Sequence, residues 1–135
     1  MGELVLDASI ATKWFRVNSE ADILLAERLL ERHLAGELRI VVPLLLFLEL
    51  LNAAARRWRW TPRELEHMAD RLGEVGFDVA EPSLAGIARW SSRGLTAYDA
   101  CYVALAEERG VPLVTADERI LAVCRGIGRR VGDFV

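Results

Sequence analysis

The sequence predicts an α/β domain built on a largely parallel sheet. Short buried-type runs such as "LVL", "LRIVV" and "PLVT" alternate with longer stretches whose apolar residues fall at helical spacing. Two of these runs lead directly into turns carrying an aspartate, where open parallel sheets gather their functional groups. The chain of 135 residues is 53% hydrophobic and shows no repeat, linker or low-complexity tract. It therefore reads as one domain, residues 1–135, with one sizeable core.

The elements follow in order. "ELVLDAS" is a buried strand ending near Asp7, and a short helix follows from Ile10 to Phe15. Ser19 is the cap expected for a helix whose apolar face holds Ala21, Leu24, Leu25, Leu29 and Leu30, with Gly36 at its stop. "LRIVV" is the second strand, and Pro43 opens a helix that runs to about Arg57. Thr61, Pro62 and Glu64 spell a capping box with proline in the first helical position, and that helix is expected to end near Gly73. "FDVA" is the third strand, and Pro82 begins a helix through Trp90, closed by Gly94. Thr96 caps a helix ended by Gly110, "PLVT" is the fourth strand, and Glu118 to Cys124 form a last helix. "RRVGDFV" is a candidate for a small final strand.

Four acids stand where their neighbours are apolar. Asp7 follows "LVL", and Asp117 lies just past "PLVT". Each also reads as a helix cap. Glu49 sits mid-helix among leucines, where a carboxylate is costly to bury without an arginine partner or a cation. Asp99 is the third helical residue after Thr96, a good dipole position, in a helix apolar nearly all round. Ser9 and Thr115 are placed to donate to caps, turns or a neighbouring carboxylate. Were Asp7, Glu49, Asp99 and Asp117 to converge, their charges would repel, and a hard divalent cation such as Mg²⁺ or Mn²⁺ would remove the objection. A cation so held can bind a phosphate oxygen and acidify a water, which points to phosphodiester hydrolysis.

Net charge is −3, so a polyanion needs a local basic patch or a bound cation. "RRWRW" (56–60) is the densest basic and aromatic cluster; its arginines could hold phosphates and its tryptophans stack on unpaired bases, but packed tryptophans with solvated arginines are slightly favoured. Arg93, ahead of Asp99, is the candidate phosphate contact. His33 and His67 have no ligand spacing and read as surface residues, and "RGIGRR" lacks the strand and third glycine of a dinucleotide site. Cys101 and Cys124 form no metal or disulfide pattern, and no apolar run is long enough for a signal core or a membrane span. A cytoplasmic protein is expected.

"LVLDASIATKWF", "PLLLFLELLNAAAR" and "LTAYDACYVALAEERGVPLVTADERIL" together resemble the PIN-domain family, and within it the VapC-type toxins of prokaryotic toxin–antitoxin pairs. The resemblance implies a three-layer α/β/α sandwich with a mainly parallel sheet of four or five strands. It implies a Mg²⁺- or Mn²⁺-dependent endoribonuclease acting on RNA, a homodimer, and a cognate antitoxin protein that blocks the pocket. Asp7, Glu49, Asp99 and Asp117 match the family's metal pocket, and Ser9 and Thr115 match polar positions beside it. Some relatives carry a further acid or amide where this chain has Arg119. The alternatives are a solitary PIN-domain RNA-processing nuclease, or a non-catalytic interaction module whose acids are caps and ion pairs. Phosphoryl-transfer folds fit less well: one wants an acid where Ser9 stands, another a late lysine, and Lys13 is the only lysine.

Overall fold

The computed structural model describes residues 2–15 and 22–133 and shows a five-stranded, all-parallel sheet. Its strands are β1 (Gly2–Leu6), β2 (Leu38–Val42), β3 (Asp78–Val79), β4 (Leu113–Val114) and β5 (Gly128–Arg129), in the spatial order β3-β2-β1-β4-β5. The helices are α1 (Ala8–Ala11), α2 (Ile23–Leu34), α3 (Leu44–Arg56), α4 (Pro62–Val75), α5 (Leu84–Ser91), α6 (Ala97–Arg109) and α7 (Glu118–Val123). Together they make the α/β/α sandwich that the sequence resemblance implies.

The central strand is β1. The chain winds outward from it through β2 to β3, then returns to lay β4 on its other side. The direction of winding reverses between β1 and β4, so the carboxyl ends of these two strands form the switch point where a crevice opens. Their core residues explain the placement: Leu4, Val5, Leu6, Leu113 and Val114 are all buried. Helix α6 packs against both strands, and every residue from Ala100 to Ala106 is buried, which accounts for its apolar circumference. Helix α5 lies against α6 at close range, since a methyl group added at Gly86 would meet the Ala104 methyl at 3.3 Å. Cys101 and Cys124 are free and buried.

Several boundaries differ from the sequence expectation. Helix α4 runs past Gly73 to Val75, and Gly76 takes the left-handed C-cap at φ 72°. Helix α5 is capped by Ser83, whose hydroxyl accepts from the Gly86 N–H, rather than starting at Pro82. The last strand is the pair Gly128–Arg129, and Val131–Asp133 turn into a 3₁₀ helix that buries Val131 instead of extending the sheet. The cap expected at Ser19 lies outside the described residues. Trp14 is half-buried, stacked on Phe77 at 5.9 Å and donating from Nε1 to the Ala26 carbonyl.

His33 is not the surface residue its sequence position suggests. Strand β3 pairs only with Val41 and Val42, too short to reach Ile40. The half-buried His33 fills that gap: its Nδ1 accepts from the Ile40 N–H at 3.0 Å, and its Nε2 lies 3.0 Å from the Val75 carbonyl at the end of α4. The neutral ring with its proton on Nε2 satisfies a strand donor and a helix-end acceptor together. His33→Phe keeps a ring against Phe77 but orphans both groups. It is expected to cost about 1–3 kcal/mol of stability in urea unfolding, and a change below a few tenths would contradict this role.

Candidate functional site

The buried carboxylate of Asp7 organises the switch point. Asp7 directly follows β1 and is 4% exposed. Its Oδ1 accepts from the Ser9 N–H (3.1 Å) and the Ser9 hydroxyl (2.5 Å), which caps α1. Its Oδ2 accepts from the Thr115 hydroxyl at 2.6 Å. Both hydroxyls then accept from the turn after β4: Ser9 Oγ from the Ala116 N–H (2.9 Å) and Thr115 Oγ1 from the Asp117 N–H (3.0 Å). Two turns more than a hundred residues apart in sequence are thus tied across one carboxylate.

The other acids arrive from three further elements. Asp117 caps α7, its Oδ1 accepting from the N–H groups of Arg119 (2.8 Å) and Ile120 (3.1 Å). The partly buried Glu49 projects from α3 and accepts a hydrogen bond from the Tyr102 hydroxyl of α6. Arg56 is not its partner among the described residues. Asp99 stands in the first turn of α6, where Thr96 Oγ1 accepts its N–H at 3.0 Å. All four acids line one cleft of about 350 Å³, together with Ser9, Thr12, Asn52, Arg57 and Tyr102. Thr115 lies behind Asp7, fully buried. Arg93 does not line the cleft; its guanidinium stacks over the Trp90 ring at 4.6 Å. Thr12, Asn52 and Tyr102 are lining groups that the sequence did not single out, whereas Arg57 belongs to the basic cluster "RRWRW", whose arginines read as able to hold phosphates.

Electrostatics reflect this crowding. Burial pushes the Asp7 carboxyl up from its ordinary 3.8 to about 6 despite its hydroxyl donors, and the Asp117 charge pushes the same way. Burial also raises Glu49, with the Asp99 charge adding to it while the Tyr102 hydrogen bond and Arg57 oppose it. Asp99 is raised by burial and then by Asp117. Burial and the Glu49 hydrogen bond together hold the Tyr102 phenol in its neutral, donating form.

Among the described residues, no group of three or more His, Cys, Asp or Glu side chains is arranged to hold a metal ion directly. The donor chemistry nevertheless suits a hydrated hard cation. The acidic lining donors are four carboxylates, three of which (Asp7, Glu49 and Asp99) have raised proton affinity, and no imidazole or thiol is among them. Mg²⁺ keeps several waters and takes only one or two carboxylates directly. A cation in this cleft would have Asp7, Asp99, Glu49 and Asp117 as its available carboxylates.

A model of the PIN domain family matches residues 4–126. PAE2754 from Pyrobaculum aerophilum is 28% identical, with a TM-score of 0.69 over 97% of this chain and 90% of its own. A toxin–antitoxin complex from Klebsiella pneumoniae is similar at 17% identity and TM-score 0.66, over 95% of this chain and 97% of that one. FitAcB from Neisseria gonorrhoeae is similar at 14% identity and TM-score 0.69, over 96% and 98%. Among curated proteins, no sequence matches.

The raised carboxyls fix a pH dependence. Folded Asp7 holds its proton up to about pH 6, whereas unfolded it releases it near 3.8. The folded state therefore binds more protons between these values, and stability falls as pH rises through them. Glu49 and Asp99 shift in the same direction. In metal-free buffer, urea unfolding from pH 4 to 7 should show a loss of roughly 3 kcal/mol, largely abolished in Asp7→Asn. Stability that rises over this range would contradict the arrangement.

Proposed function

The chain belongs to the PIN domain family, and from that premise we propose that it is a Mg²⁺- or Mn²⁺-dependent endoribonuclease, the toxin of a toxin–antitoxin pair. The observation that carries the reading is the convergence of Asp7, Glu49, Asp99 and Asp117 on one cleft from four separate elements. PIN domains are generally nucleases, which supports hydrolysis of a phosphodiester. The similar structure from Klebsiella pneumoniae is a toxin–antitoxin complex, which supports a cognate antitoxin as partner. Leu44 and Leu48 lie one turn apart on α3, both more than half exposed, and favour a homodimer. No helix among the described residues is long and apolar enough to cross a membrane, consistent with action on cytoplasmic RNA.

When bound, the cation would neutralise the carboxylates, polarise a phosphate oxygen and acidify a water. The protein's own groups do the rest. Ser9 and Thr115 fix both oxygens of Asp7, so this carboxylate is oriented before any ligand arrives. Asp117 has one oxygen committed to capping α7 and acts through the other or through water. Tyr102 holds Glu49 at the wall of the cleft, where burial makes it a stronger base suited to taking the proton of the attacking water. The water's oxygen bonds to phosphorus as its proton passes to Glu49, and the bond to the ribose oxygen breaks, that oxygen taking up a proton from solvent as it leaves.

Two measurements separate this reading from an interaction module. Mn²⁺ at saturating concentration should raise the melting temperature of the wild type, and Asp99→Asn should lose that response while its metal-free melting temperature does not fall. The same variant should lose at least a hundredfold (~10²) of Mg²⁺-dependent cleavage of single-stranded RNA. Wild-type cleavage rates in Asp99→Asn would overturn the assignment, and no Mn²⁺ response in either protein would favour the interaction module.

A further inference from the structure

The nuclease reading contains an electrostatic conflict. A cleft walled by four carboxylates must receive a phosphodiester chain that carries the same sign of charge. The segment closing α3 answers it. Arg57 lines the cleft, is exposed, and favours ionised Glu49 by its charge, yet no ion pair holds its guanidinium among the described residues.

Arg59 supplies an independent observation. Among the described residues, five turns take a left-handed residue and use glycine: Gly36, Gly76, Gly94, Gly110 and Gly126. Arg59, at φ 54°, is the one non-glycine residue with positive φ among those described. The turn demands it, because the Trp58 and Trp60 N–H groups fold back onto the Ala53 (3.1 Å) and Ala54 (2.9 Å) carbonyls to end α3. An L side chain is disfavoured there, and glycine would relax the strain. The retained side chain is an exposed guanidinium two residues from Arg57. Trp58 and Trp60, with rings 5.3 Å apart, are half-buried against the core and fix the turn rather than offering a stacking face.

We infer that Arg57 and Arg59 form a phosphate clamp at the rim of the acidic cleft, gripping the backbone of single-stranded RNA beside the bond to be cleaved. This rests on the nuclease reading for the identity of the polyanion. A single strand fits because Asp7 lies at the floor of a cleft of about 350 Å³, where the convex surface of a duplex cannot bring a phosphate. The guanidinium fork matches phosphate oxygens pairwise, so the clamp reads charge and shape and not sequence.

The test is anisotropy of a labelled phosphorothioate oligouridylate, resistant to cleavage, titrated with protein in Mn²⁺ at several salt concentrations. Each lost phosphate contact should reduce the slope of log affinity against log salt by about 0.7. Arg57→Gln and Arg59→Gly should each show that loss and weaker binding. Arg59→Gly should also melt at higher temperature than the wild type, since it relieves the strained turn. Stabilisation joined to weakened binding is an outcome that a purely structural arginine does not give. Wild-type slopes in both variants, or no binding by the wild type, would overturn the clamp. If the clamp variants lose slope while unmodified RNA stays uncut in Mn²⁺, the clamp stands and the nuclease reading falls. If RNA is cut while both variants keep the slope, the clamp falls alone.

Discussion

A carboxylate buried at the end of the central strand must find hydrogen-bond donors, and that requirement shapes the site. Asp7 is nearly inaccessible, and a bare ionised carboxylate at that depth would be strongly destabilising. The donors come from Ser9, in its own turn, and Thr115, in the turn after β4. Each hydroxyl donates its single proton to Asp7 and accepts a backbone N–H from the turn after β4, Ser9 from Ala116 across the crevice and Thr115 from Asp117 in its own turn. Neither proton can be redirected without orphaning a buried group, so the carboxyl ends of β1 and β4 are held in register by the site itself. These donors do not fully offset burial, as the raised proton affinity of Asp7 shows. The residual cost is what a bound cation would relieve.

Much of this was legible in the sequence because the acids contradict their surroundings. Asp7 and Asp117 follow apolar runs, and Glu49 and Asp99 interrupt apolar helices. The alternative readings proved partly true as well: Asp7 and Asp117 do cap helices, while each still lines the cleft. Capping uses one oxygen of Asp117 and leaves the other, so structural and chemical roles coexist in one side chain. What the sequence hid are pairings that exist only in three dimensions. Tyr102 reads as one more apolar neighbour of Asp99, yet its hydroxyl meets Glu49, 53 residues earlier. Arg93 is near Asp99 in sequence, but the turn at Gly94 leaves it over Trp90. Strand ends were blurred because β3, β4 and β5 are each two residues long, and such short ladders are set by their neighbours rather than by their own propensity.

The two ends of the sheet manage charge in opposite ways. At the amino-terminal end, opposite charges meet: Arg109 bonds Glu3 at 3.1 Å, and Arg39 and Arg109 both approach Asp78. These pairs are half-exposed and contribute little to stability. At the carboxyl end the acids gather with hydroxyl and phenol donors, and Arg57 stays at the rim without an ion pair among the described residues. A chain with arginines to spare could have neutralised Glu49 or Asp99 as it neutralises Glu3. Arg57 and Arg119 offset these charges only in part, and the proton affinity that stays raised at Glu49 and Asp99 is what a positive charge from outside the polypeptide would relieve. A small hydrated cation can do so inside the cleft, and its presence in turn lets an anionic strand approach. On this argument the arginines after α3 and the acids of the cleft form one electrostatic design. Under the proposed function the acids would attract a cation, the cation and the rim guanidinium would attract phosphate, and the strain kept at Arg59 would mark where binding was favoured over a relaxed backbone.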